Sequence, residues 1–136
     1  MTPEAAAQAL FHTLNTHIRT NVNRTVAFVQ TGELETRPHP FRPREKMALE
    51  VVDGAKHLHR RLKELGVNKD PELAQALRAT IADHLNFVLG SLFSALDGEG
   101  AIYTKDGAEV QLELRIVNGE PLPGCLHEIF KPAGLT

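Results

Sequence analysis

The sequence predicts an α+β fold in which three long helices pack as an antiparallel bundle, followed by a C-terminal β-hairpin and a short tail. Up to residue 97 the apolar residues recur every three or four positions, the period of a helix face. After Gly100 the period falls to two, the period of a strand. A chain of 136 residues suits one domain, so we expect a helical part at 1–97, a hairpin at 101–117 and an irregular tail at 118–136.

The first helix is predicted from Pro3 to about Gln30. Thr2 is a suitable N-cap, Pro3 suits the first helical position, and Gly32 is the expected stop. Its apolar stripe comprises Leu10, Leu14, Ile18, Val22 and Val26, with Phe11 and Val29 beside it. Residues 33–43 contain three prolines and are predicted to form an irregular connector.

The second helix is predicted from Pro43 to near Leu65. Its expected buried face comprises Met47, Val51, Ala55, Leu58, Leu62 and Leu65.

The third helix has the clearest start, because Asp70 can cap it and Pro71 suits its first position. It should end near Asp97, with its core face formed by Leu73, Leu77, Ile81, Leu85, Val88, Leu92 and Leu96. Eight of the twelve residues in 85–96 are apolar, so this stretch should be covered on several sides. The C-terminal β segment or a second subunit could provide that cover.

The strand pattern comes from Val110, Leu112, Leu114 and Ile116, which alternate with polar residues. Residues 101–104 are the expected partner strand, joined through a turn at Asp106 and Gly107. Asn118 and Gly119 predict a second turn. A short helical turn is expected at 126–130, with Ile129 and Phe130 holding the tail.

Composition favours a cytoplasmic protein. The single Cys125 cannot form an internal disulfide, the N-terminus lacks the features of a secretory signal, and no apolar run approaches the ~20 residues of a membrane span. We therefore expect no membrane association.

Charge is divided along the chain. Residues 1–65 carry ten Lys/Arg and seven Asp/Glu, a net charge of +3, whereas residues 66–136 carry five and ten, a net charge of −5. Such a division can favour antiparallel self-association. The pI near 6.4 does not favour a nucleic-acid partner.

Histidines are the candidate metal ligands. His17, His59 and His84 border the core faces of the three helices, one on each, which is the arrangement that a three-histidine site for a divalent metal would need. Boundary positions also accept histidine without any metal, and no His-Glu-x-x-His motif occurs.

Basic residues around the second helix form a candidate site for an anion or a nucleic acid. They are Arg42, Arg44, Lys46, Arg60, Arg61 and Lys63. A solvated helix face explains the same pattern, and aromatic residues for base stacking are scarce there.

No catalytic residue can be named, because Cys125 and His127 are neighbours in sequence only and no nucleophile motif or phosphate-binding loop occurs. The leading hypothesis is therefore a non-catalytic protein-binding or regulatory domain. It would form a homodimer through residues 85–96 or the hairpin, or bind another protein, with no cofactor. A metal-dependent enzyme or metal sensor and an anion-binding module are the alternatives.

Overall fold

A computed structural model describes residues 1–33, 44–98 and 102–132, and for 44–52 it describes the helical backbone alone. The helices are α1 (Pro3–Thr31), α2 (Arg44–Glu64), α3 (Pro71–Leu96) and the short α4 (Leu126–Ile129). The strands are β1 (Ile102–Tyr103) and β2 (Glu109–Val110). Three long helices followed by a hairpin confirm the predicted α+β class, and α4 confirms the helical turn in the tail.

The chain divides into two compact units. The terminal unit contains Met1–Arg19 and Ala82–Thr136, and the middle unit contains Thr20–Ile81. The antiparallel packing of the three helices as one bundle stays a prediction. The proline-rich connector predicted at 33–43 lies almost wholly outside the described residues.

The helix starts follow the predicted capping chemistry. The Thr2 hydroxyl accepts a hydrogen bond from the Ala5 N–H at 3.1 Å, and the Asp70 carboxylate accepts one from the Glu72 N–H at 3.1 Å. Each cap supplies an acceptor for an N–H group that the helix itself leaves unpaired.

The core of the terminal unit is an aromatic cluster. Phe11 of α1 meets Phe93 of α3 with ring centroids 5.5 Å apart, and Phe130 lies 5.3 Å from Phe11 and 5.2 Å from Phe93. Ala7 and Leu126 complete its buried part. The Phe11 contacts are edge-on, the arrangement that aromatic quadrupoles prefer. Phe130 thereby holds the tail, as the sequence predicted.

The middle unit joins α1 to α2 through a histidine. His59 Nδ1 lies 2.8 Å from the Val29 carbonyl oxygen, and the His59 ring is 6.2 Å from that of Phe28. Gly32 has φ of +75°, and a Cβ there would come within 2.6 Å of the His59 ring. Position 32 therefore requires glycine for two reasons: the backbone is left-handed at the end of α1, and the His59 ring leaves no room for a side chain.

The buried face of α3 differs from the prediction. Ala74, Ala82 and Phe93 are buried, whereas Val88 and Leu92, which were expected in the core, are exposed. Because residues 85–96 are apolar around most of the helix, periodicity could not choose between two apolar stripes. The fit of Phe93 between Phe11 and Phe130 makes that choice.

The predicted face of α2 also needs correction. Leu58 and Leu65 are exposed, whereas Ala55, His59 and Leu62 are at least partly buried. The bond from His59 to the α1 backbone accounts for this rotation. Met47 and Val51 lie where side chains are not described.

The hairpin is shorter than the predicted strands. Ile102 pairs with Val110 and Tyr103 with Glu109, around a turn in which Gly107 has φ of +89°. Beyond Val110 the regular strand expected to reach Ile116 is absent from the part of the chain that the structure describes. Residues 114–116 instead bond to 120–122 around the turn at Asn118 and Gly119, as in the bond from the Leu122 N–H to the Leu114 carbonyl at 2.8 Å. Within the described residues β1 has only two residues, which is too short to pair with the segment beyond Val110.

Among the described helices, α3 is long and apolar enough, by length and composition, to cross a membrane, with a mean hydropathy of 1.2 and 11% of its most apolar stretch buried. Length and composition do not test the expectation of no membrane association, which stays a prediction. The mean hydropathy stays high although single charged residues interrupt the run of apolar residues.

Replacement of Phe93 by alanine should destabilise the protein by about 3–5 kcal/mol, because it removes one of the three rings of the aromatic cluster and leaves a cavity. Urea unfolding followed by circular dichroism measures this change. Val117→Ala is the control, since Val117 is exposed and should shift the free energy of unfolding by less than about 0.5 kcal/mol. Equal effects of the two substitutions would contradict the assigned core.

Candidate functional site

The outer side of α3 carries an exposed apolar surface. Phe87 is 74% exposed, Val88 64% and Leu92 48%. At 100° per residue these three share one side of the helix, opposite Ala82 and Phe93. We call this surface the Phe87 face; it consists of His84, Phe87, Val88, Ser91, Leu92 and Ala95.

The Phe87 face contains no carboxylate, lysine or arginine. No Asp, Glu, Lys or Arg occurs between positions 84 and 96. Single exposed apolar residues are ordinary, but a contiguous group that includes a phenylalanine marks an interaction surface more often than chance would. The sequence identified the apolar excess in this segment, while the side on which it emerges depends on the burial of Phe93.

The predicted metal ligands receive no support from the described residues. His17 and His84 are exposed, and the part-buried His59 has its Nδ1 at 2.8 Å from the Val29 carbonyl. Among the described side chains, at 1–33, 53–98 and 102–132, no group of three His, Cys, Asp or Glu is placed to hold a metal ion. A three-histidine site stays a prediction.

The predicted anion site is described in part. Arg60 Nη2 lies 2.8 Å from His57 Nδ1, and Arg61 forms an ion pair with Glu64 at 2.7 Å. Lys63 is exposed, and Arg42, Arg44 and Lys46 lie where side chains are not described. The pairing of Arg61 with Glu64 offsets part of the positive charge, and the site stays a prediction.

A buried carboxylate–histidine pair was not predicted. Asp97, directly after α3, is 1% exposed in its side chain, and its Oδ2 accepts the backbone N–H of His127 at 2.7 Å. The same oxygen lies 2.5 Å from His127 Nδ1. The two residues are 30 positions apart, so no local spacing in the sequence indicates their contact.

This geometry makes Asp97 a connection between α3 and α4. Burial by itself raises the pKa of the Asp97 carboxyl, but the hydrogen bonds from the His127 backbone and ring and from the Leu126 backbone, together with the charge of His127, outweigh it. The pKa of Asp97 is therefore held below its ordinary value. A carboxylate can orient a histidine for catalysis or metal binding in the same way. His127 Nε2 here lies 3.9 Å from the Glu128 carboxylate, and Cys125 is a free, half-buried thiol.

Comparisons with protein-family models, curated proteins and solved structures found no match to this chain.

The Asp97–His127 pair predicts a pH-dependent contribution to stability. Because the pKa of Asp97 is lower in the folded state than its ordinary 3.8, the contribution is fully present above that value and is lost as pH falls through the folded-state pKa. Asp97→Asn should cost about 2 kcal/mol at pH 7 and much less once the pH falls below the folded-state pKa of Asp97. Urea unfolding of both proteins at several pH values measures the difference.

The control for this experiment is Asp83→Asn, at an exposed position of α3. Its effect on the free energy of unfolding should stay within about 0.5 kcal/mol at either pH. A cost of Asp97→Asn that does not change with pH would show that the carboxylate charge is not what stabilises the contact.

Proposed function

We propose that this protein is a non-catalytic protein-binding domain whose Phe87 face pairs with the same face of a second copy. The observation that carries the proposal is the exposure of Phe87, Val88 and Leu92 side by side on α3. Burying such side chains against a partner removes apolar surface from water, at roughly 25 cal/mol for each Å².

A second copy suits this face for reasons of charge and symmetry. An uncharged apolar surface is complementary to an identical one, and twofold pairing is the commonest symmetry of soluble oligomers. The net charge of +3 in residues 1–65 and −5 in 66–136 favours an antiparallel arrangement of two chains.

The proposed pairing crosses two α3 helices antiparallel about an axis between Leu89 and Gly90. Phe87 of each copy then meets Leu92 of the other, and Val88 meets Ser91. The small residues Ser91 and Ala95, which belong to the Phe87 face, allow the two helices to approach closely. One helix face is a small interface, so we expect dissociation in the roughly micromolar range.

Single charges on the Phe87 face should dissociate the dimer. Phe87→Lys and Leu92→Glu each bury a charge against an apolar side chain and should weaken dimerisation at least roughly 30-fold, the effect of losing an interface hot spot. Sedimentation velocity over about 1–300 μM measures this for wild type and each variant. Val117→Lys, at an exposed position outside the face, should dimerise like wild type.

Mixing the two variants tests the antiparallel geometry. In the mixed dimer the lysine introduced by Phe87→Lys in one copy faces the glutamate introduced by Leu92→Glu in the other. The native Leu92 of the first copy and the native Phe87 of the second still meet on the other side of the axis. We therefore expect Phe87→Lys mixed with Leu92→Glu to dimerise better than either variant alone. In a parallel pair mixing would form no lysine–glutamate contact and would leave neither native contact intact. A wild-type monomer throughout the concentration range would overturn the proposal.

Association with lipid is the competing outcome, because α3 also has the length and hydropathy of a membrane span. Co-sedimentation with neutral phosphatidylcholine vesicles distinguishes the two. Wild-type protein that sediments with the vesicles, and loses this binding in Phe87→Lys, would contradict the dimer and assign the face to a membrane.

A further inference from the structure

The terminal unit contains a shallow cavity of about 320 Å³ that lies apart from the Phe87 face. It is lined by Gln8, Phe11, His12, Asn15, Ile129 and Lys131. Its volume is at the lower end of the range for small-molecule sites. Gln8, His12 and Asn15 follow one another at steps of four and three, so all three lie on one side of α1.

Two contacts fix the walls of this cavity. Phe11 is buried in the aromatic cluster, which holds the floor in place. Asn15 Nδ2 donates a hydrogen bond to the Lys131 carbonyl at 3.0 Å, and this bond ties the chain after α4 to α1. The bond uses the backbone of Lys131, so its ammonium group is not required for the cavity to form.

The lining residues include a cation and polar donors but no carboxylate. Lys131 carries a positive charge, and His12 and Gln8 add a ring N–H and an amide N–H as donors. No carboxylate is among the six lining residues. Phe11 and Ile129 supply the apolar part of the wall. A ligand that fits carries one negative end and a compact apolar body.

We propose that this cavity binds a small organic carboxylate with a compact apolar body. The carboxylate lies near the Lys131 ammonium and the His12 ring, and the apolar body rests on Phe11 and Ile129. Inorganic phosphate fits less well because it leaves the apolar wall uncovered. A neutral molecule of the same shape lacks the attraction to Lys131.

The test is a titration of ¹⁵N-labelled protein with benzoate, followed by amide chemical shifts. We expect saturable shifts at the six lining residues with a roughly millimolar dissociation constant. Benzamide, which has nearly the same shape and no charge, should bind about fivefold more weakly, the change expected for losing one unit charge a few ångströms from its partner in water. Inorganic phosphate should also bind more weakly than benzoate.

Two variants assign the charge to its residue. Lys131→Gln should weaken benzoate binding about fivefold and leave benzamide binding unchanged. The control, Lys105→Gln in the hairpin turn and outside the cavity, should change neither.

Three results would overturn the proposal. They are equal binding of benzoate and benzamide, tighter binding of phosphate than of benzoate, and shifts that do not saturate or that lie away from the six residues. Since the cavity and the Phe87 face share no residue, failure here leaves the proposed dimer untouched, and failure of the dimer leaves the cavity untouched.

Discussion

Three phenylalanine rings from distant parts of the chain meet in the terminal unit, and the rotation of α3 follows from their contact. Phe93 is 1% exposed and contacts both Phe11 of α1 and Phe130 of the tail, which also contact each other. Once Phe93 points inward, Phe87, Val88 and Leu92 must point outward, because a helix turns 100° per residue. The aromatic core and the exposed face are therefore consequences of one packing choice.

The same cluster supports the C-terminal segment. Residues 114–122 form short backbone pairings that would be marginal alone in water, and the tail after them is held by Leu126 and Phe130. Asp97 adds a polar connection by accepting two hydrogen bonds from His127 at the start of α4. Apolar packing supplies the attachment, and the buried carboxylate sets the direction in which α4 leaves the core.

In the middle unit the contact between α1 and α2 is partly polar, unlike the aromatic core of the terminal unit. His59 meets the Val29 carbonyl near the end of α1, where Gly32 leaves room for the ring. A histidine that was a candidate metal ligand in sequence thus has a structural partner at one of its ring nitrogens. The Phe87 face and the α1 cavity both lie in the terminal unit, so the two proposed binding surfaces are built on the aromatic cluster rather than on this contact.

The sequence by itself determined the helices, their capped starts, the hairpin turn at Gly107 and the short helix in the tail, since these depend on local propensity and on hydrogen bonds between near neighbours. It also located the apolar excess at 85–96. Only the tertiary structure decided which side of α3 is buried, that His59 rather than Leu58 faces α1, and that Asp97 meets His127. Those choices depend on shape and on contacts between residues far apart in the chain, such as the 30 positions between Asp97 and His127, and periodicity carries no information about them.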